Sequence, residues 1–240
     1  MRTLEELMPP LTARSVALSL LLGMECGSLP VSTIVRLVQP LGFSAAAMRT
    51  ALSRMVASED LEATDGIYRL GSLHRLRQGS QEAAIDPRLK PDDADWSLVV
   101  IVVKGRDAAT RADTRAVLNE RRYAPLRPGV WLRPDNLADG LRSMPELEAF
   151  TVHHKDEQSL LLRLWNLPTW AAEAQVIIDA LDPKREPATR FVAAAAAVRH
   201  LRSDPVLPNR LRPPDWPAER LRDEYKSYRQ HIARLASSKG

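Results

Sequence analysis

A multidomain α+β protein is predicted for this chain by three observations. Its first 70 residues read as three helices followed by a short hairpin. A β-branched run at 96–103 opens an alternation of strand and helix patterns. Beyond Pro168 only helical patterns remain, separated by proline-rich joints. At 240 residues, 45% hydrophobic and 27% charged, the chain is long enough for two or three domains with buried cores.

Residues 12–26 read as a helix, with Val16 and Leu20-Leu21-Leu22 on a broad apolar face and Gly23 and Gly27 near its end. Pro30 opens a second helical stretch in which Ile34, Val35, Leu37 and Val38 are apolar, and Pro40 stops it. After Leu41-Gly42-Phe43, Ser44 is placed to cap a third helix running to about Ser58. Asp65-Gly66 then separates 61–64 from 67–70, and both residues tolerate the positive φ of a tight hairpin turn. Three helices and a hairpin are the plan of a winged helix-turn-helix, assigned to residues 1–70.

Residues 71–95 read as a connector. Its part 72–84 has a helical pattern, and Asp86-Pro87 and Pro91-Asp92-Asp93-Ala94-Asp95 break regular structure. The run 96–103 reads as a strand buried on both faces, 108–122 as a helix and 129–133 as a strand. Next come a helix at 136–147 and strands at 149–154 and 160–164. This order predicts a ferredoxin-like α/β sandwich over 96–167. Helices at 171–181, 188–202 and 218–236 make a helical C-terminal domain over 168–240. In the last of them Leu221, Tyr225, Tyr228, Ile232 and Leu235 form an apolar stripe that either packs on its own domain or offers a dimer face.

Composition narrows the function classes. A single cysteine, Cys26, excludes an intramolecular disulfide framework and a multi-cysteine metal site, and beside Gly27 it reads as a packed small residue. No apolar run approaches the length that spans a bilayer, and the start carries early acids and no cleavage pattern. A soluble cytoplasmic protein with no membrane partner is expected. The net charge is +4, with the first ninety residues near neutral and the excess of bases in 199–240. Total charge alone therefore does not select a nucleic-acid partner.

The third helix is more specific. At about 100° per residue, Ala46, Arg49, Thr50, Ser53 and Arg54 share one arc, and Met48, Leu52, Met55 and Val56 lie opposite. The polar arc holds no acid, and its small residues allow close approach to a major groove. Arginine there can reach guanine O6 and N7, while Thr and Ser reach phosphates or base edges. An ordinary amphipathic helix with a solvated basic side has the same pattern. The place of this helix, after a short turn and before a hairpin, favours the duplex, with Ser44, Ala46, Arg49, Thr50, Ser53, Arg54 and the wing's Arg69 as DNA-contacting residues.

Three stretches together resemble the PaaX family of transcriptional repressors. The first is Thr12-Ala13-Arg14-Ser15 with Arg49-Thr50-Ala51-Leu52-Ser53-Arg54-Met55, ending at Tyr68-Arg69-Leu70. The second is Leu126-Arg127-Pro128-Gly129-Val130-Trp131-Leu132-Arg133-Pro134. The third is Leu201-Arg202-Ser203-Asp204-Pro205-Val206-Leu207-Pro208 with Pro213-Pro214-Asp215-Trp216-Pro217. The resemblance implies a homodimeric repressor of a catabolic operon, bound to double-stranded operator DNA and released by an acyl-CoA, with phenylacetyl-CoA the usual effector. It implies no resident cofactor and no catalysis.

The sequence departs from the family pattern in three places, one of them Arg122-Tyr123-Ala124, where an aromatic Gly-Phe-Gly-like segment is usual ahead of the second stretch and a different effector is implied. Glu59-Asp60 stands where a Gly-Trp pair is usual, and the wing is poor in base. For the effector, Arg127, Trp131 and Arg133 are the expected contacts: phosphates need Arg, and on a strand Trp131 and Arg133 share a face. The bland alternative makes Trp131 a core residue and Arg133 a surface base. Trp216 is expected to anchor the C-terminal helix.

An enzymatic alternative is a metal-dependent nuclease of ferredoxin-like fold, or an acyl-CoA enzyme, with an accessory head. The nuclease needs an Asp near the end of the first sandwich strand, where this chain has Val103-Lys104-Gly105. His153 and His154, as strand neighbours, point to opposite faces. A third alternative is a scaffold whose winged helix contacts protein.

Overall fold

The computed structural model describes residues 2–8, 11–91, 95–103, 105 and 107–238. Lys104 and the Asp92–Ala94 part of the expected break lie outside the described residues. The chain is mixed α/β, with two small antiparallel sheets.

The head begins with α2 (Ala13–Gly23), whose first turn is fixed by Thr12 and Ser15 capping each other. It follows a four-residue helix, α1 (Leu4–Leu7), that the periodicity did not reveal. A short strand, β1 (Ser28–Pro30), leads into α3 (Val31–Val38). A 3-10 turn at Gln39–Leu41 and Gly42, at φ 86, redirects the chain into α4 (Ala45–Ala57). The Ser44 hydroxyl caps α4 by accepting from the Ala47 N–H at 3.2 Å. Met48, Leu52 and Met55 point from α4 into a core with Val16, Leu21 and Ile34. Strands β2 (Leu61–Thr64) and β3 (Ile67–Leu70) form the hairpin, and β1 adds to its far edge in the order β1-β3-β2. Asp65 and Gly66 both take positive φ at the turn, as a two-residue hairpin requires. Cys26 is exposed, not packed; its Sγ accepts from the Ser28 hydroxyl at 3.3 Å, which lowers the thiol pKa.

The hairpin returns to the head through Gly71, whose N–H donates to the Asp60 carbonyl at 2.8 Å. A Cβ at position 71 would lie 2.3 Å from the Glu59 carbonyl oxygen and 2.9 Å from that of Asp60. These are backbone atoms and cannot swing aside. Gly71→Ala is therefore expected to lower stability by about 1–3 kcal/mol. Gly140→Ala, where an added Cβ meets nothing within 4 Å, is expected to be near neutral in the same thermal melts.

The expected connector is largely one helix, α5 (Ser72–Ile85). Gln78 Nε2 donates to the Leu22 and Met24 carbonyls at the end of α2, while Ala84 and Ile85 bury in the C-terminal core.

The middle region contains β4 (Trp96–Ile101), α6 (Ala108–Glu120), β5 (Ala124–Arg127), β6 (Val130–Pro134), β7 (Leu147–Val152) and α7 (Glu157–Leu164). The sheet order is β5-β6-β4-β7, antiparallel throughout. Four expectations are corrected here. The first strand ends at Ile101, and Val102 and Val103 are exposed. Strand β5 was not anticipated. The helix expected at 136–147 is absent: Gly140 and Pro145 interrupt it, and its backbone pairs with the connector, Lys90 N–H donating to Asn136 and Ala138 N–H to Arg88. The strand expected at 160–164 is helical, because Asp156 caps the segment and Leu160 and Leu161 turn inward while Leu162 faces out. The sheet thus has one crossover helix, α6, instead of two.

One sheet face, with Trp96 and Leu132, packs under α7 and Leu207 and Leu211. The other, with Val99 and Trp131, packs under α6, Tyr123 and Leu141. Helices α8 (Leu167–Leu181), α9 (Pro187–Leu201) and α10 (Ala218–Ser237) follow. Ala193, Ala194, Ala196 and Ala197 are buried and let α9 lie close against α8. Leu221, Tyr225 and Tyr228 of α10 are buried in this same core, Ile232 packs against both it and the head core, and Leu235 at the end of the stripe is exposed. Leu7 of α1 also inserts there. Trp216 stacks on Trp170 at 4.6 Å, and Trp170 on His200 at 4.4 Å, the anchoring expected of Trp216. Among the described residues, no helix is long and apolar enough to cross a membrane.

Candidate nucleic-acid interface

Helix α4 presents the arc read from its periodicity. Ser44, Ala46, Arg49, Thr50, Ser53 and Arg54 are all exposed, and none is covered by another part of the chain. Ser44 is occupied as the cap, and Thr50 Oγ1 donates to the Ala46 carbonyl at 3.0 Å. Among the described residues, no carboxylate pairs with Arg49 or Arg54. Arg69, on β3, is exposed too. The wing tip carries Asp65 and Gly66, and the nearby Glu62 pairs with Arg75 at 3.2 Å.

Asp60, part of the Glu59-Asp60 departure from the family pattern, is structural. It follows α4 and lies 2.8 Å from Arg14 Nη2 of α2 and 2.8 Å from His74 Nε2 of α5. The Ser58 hydroxyl donates to it at 2.8 Å. Together these hold its carboxyl well below the usual carboxylate range, the contact with His74 first, then those with Arg14 and Ser58. This knot fixes α4 relative to α2 and α5. Because the folded-state pKa is depressed, the stabilisation is present above about pH 4 and is lost as pH falls through the folded value. Asp60→Asn is expected to be less stable than the parent at neutral pH. The gap should close as the solution is acidified below pH 4, read by urea unfolding at a series of pH values.

The middle region holds a second site. A groove of about 700 Å³ lies between α6 and the β5–β6 hairpin, with Trp131 at its floor and Arg127 at its mouth. Arg111 and Arg115, one helical turn apart on α6, form the opposite wall. Neither was foreseen, although their spacing in a helix was visible. Arg133 does not line this groove. It shares the face of Trp131 but is only 2% exposed, with its guanidinium 5.1 Å from the Tyr123 ring centroid. It is not a surface base: Tyr123, whose hydroxyl is 2.7 Å from that of Ser97, covers it.

His153 and His154 lie apart from both sites. His153 pairs with Asp95 at 3.0 Å, and His154 Nδ1 accepts from the Asp156 N–H at 3.2 Å. Among the described residues, no three His, Cys, Asp or Glu side chains are grouped to hold a metal ion.

These features define a mixed α/β chain with an exposed, acid-free basic helix at one end and an arginine-lined groove in its middle. The model of PaaX-like proteins matches residues 12–75, which contain the whole of α2 to β3, and this is consistent with a PaaX family protein. That family is regulatory rather than enzymatic. The chain is also similar to the solved structure of the uncharacterized protein Rv0674 from Mycobacterium tuberculosis. The two are 35% identical, with a TM-score of 0.83, covering 95% of this chain and 98% of that one. No curated protein matches.

Proposed function

We propose that this protein is a DNA-binding transcriptional repressor whose first 70 residues form a winged helix-turn-helix and whose α4 enters the major groove of an operator. The observation that carries this reading is the exposed arc of α4, in which Arg49 and Arg54 have no acid to satisfy them among the described residues. Guanine N7 and O6 or backbone phosphates are their natural acceptors. The base-poor wing leaves most of the contact energy to α4. A homodimer on a two-fold operator would place two such helices about one duplex turn apart. The test is fluorescence anisotropy with DNA from upstream of the protein's own gene. Saturable, salt-sensitive binding supports the reading, and no preference over random duplex at any salt contradicts it.

The effector reading places an acyl-CoA, such as phenylacetyl-CoA, in the groove over Trp131. Arg127, Arg111 and Arg115 supply cations for its phosphates, and Trp131 supplies an apolar floor. The β5-β6-β4-β7 order is that of a ferredoxin-like sheet in which the second crossover has lost its helix. Arg127→Glu is expected to weaken phenylacetyl-CoA binding at least tenfold in calorimetry while leaving DNA affinity unchanged. Equal affinity in the variant would move the effector elsewhere.

A further inference from the structure

A cavity of about 130 Å³ lies where the head meets the C-terminal helices. Leu20 and Leu22 of α2 line one side, and Phe191 and Ala195 of α9 with Tyr225 and Tyr228 of α10 line the other. A cavity of roughly 150 Å³ is known to accept benzene, so this half-open space of similar size suits one six-membered ring. Its polar fittings are specific. Tyr225 and Tyr228 are both more than nine-tenths buried. Tyr225 accepts from Gln81 Nε2 at 3.2 Å, and among the described residues neither phenol donates its own proton to an acceptor. Arg229, also on the wall, is held by Glu82 at 2.7 Å.

We infer that this cavity is a binding site for a small uncharged molecule, one ring in size, carrying a hydrogen-bond acceptor that takes the proton of Tyr225 or Tyr228. An apolar body matches the leucine, phenylalanine and alanine walls, and the acceptor takes a phenol proton that has no other acceptor among the described residues. A carboxylate is excluded because Arg229, the one cation among the described wall residues, already has Glu82 as its anion, and burying an unpaired charge is costly. The site is independent of the proposed effector groove, which lies on the middle sheet. Its walls come from both the head and the C-terminal helices, so occupancy is linked to how α2 sits against α9 and α10.

Acetophenone, toluene and benzoate separate the requirements in thermal melts of the full chain. Acetophenone at about five times its Kd is expected to raise Tm by roughly 2–4 °C, toluene by less, and benzoate not at all. Ala195→Leu, which fills the space, is expected to keep its circular dichroism and lose the acetophenone shift. Tyr228→Phe is expected to shrink the acetophenone shift toward that of toluene; if it does not, Tyr225→Phe must, and failure of both overturns the assigned donor. The inference is overturned by the absence of a saturable acetophenone shift in the parent, or by an equal shift in Ala195→Leu. Should Ala195→Leu fail to fold, the tyrosine variants decide.

Discussion

Replacing Arg49 and Arg54 together by alanine will lower operator affinity by roughly 30-fold or more and leave the melting temperature within a degree or two. Each arginine in a good groove or phosphate contact contributes about 1–3 kcal/mol. Among the described residues neither side chain has a bonding partner in the protein, so the folded chain loses little when they are truncated, and alanine is a better helix former than arginine. If one of the two binds a phosphate, the slope of log affinity against log salt will fall by about one. If both read guanine edges, the slope will hold and discrimination between operator and random duplex will shrink. Anisotropy titrations at several salt concentrations separate these outcomes. An unchanged affinity would remove α4 from the interface.

Asp204→Ala will have the largest effect on stability, about 3–5 kcal/mol in urea unfolding. Asp204 is 1% exposed and binds the buried Arg222 of α10. It also accepts from the Val206 N–H at 3.1 Å. Arg122, packed beside it at the end of α6, donates to the Arg202 carbonyl; burial lowers its pKa to about 10, with the Asp204 charge opposing that shift. Removing the carboxylate leaves two buried guanidinium groups without their anion. Asp204→Asn keeps an acceptor for Val206 and is expected to lose less. By contrast, Lys226→Ala, which breaks the exposed pair with Asp86, is expected to change stability by less than about 1 kcal/mol. The Ser-Asp-Pro segment that carried part of the family resemblance thus joins the middle sheet to the last helix.

What could be read in advance follows from which forces act locally. The turn between α3 and α4, the Ser44 cap and the Asp65-Gly66 hairpin are set by residues within a few positions of one another, and their places were legible. So were α8, α9 and α10, whose ends are marked by prolines at 168, 187 and 217. Strand β1 was hidden because it is three residues long and exists only by pairing with β3, some forty residues on. Strand β5 was hidden by Pro125, which an edge strand tolerates. The run at 160–162 has three consecutive leucines, and such a run fits a short strand or a helix until its cap and partners are known.

The candidate interface divides in the same way. Periodicity fixes which residues of α4 share an arc, so its exposed set could be written down from the sequence. The groove depends on how α6 lies across the sheet, which is a tertiary fact, and Arg111 and Arg115 were missed for that reason. Strand alternation put Trp131 and Arg133 on one face. It could not say that Tyr123 would cover one end of that face and leave the other open.

The most direct test of the central claim is dimethyl sulfate protection of guanine N7 on DNA from upstream of the protein's own gene, since that atom lies in the major groove. The account predicts protected guanines in two major-groove segments about one helical turn apart, with protection lost in the Arg49→Ala/Arg54→Ala variant. Saturated binding with every guanine N7 still reactive, or protection that persists in the variant, would contradict it.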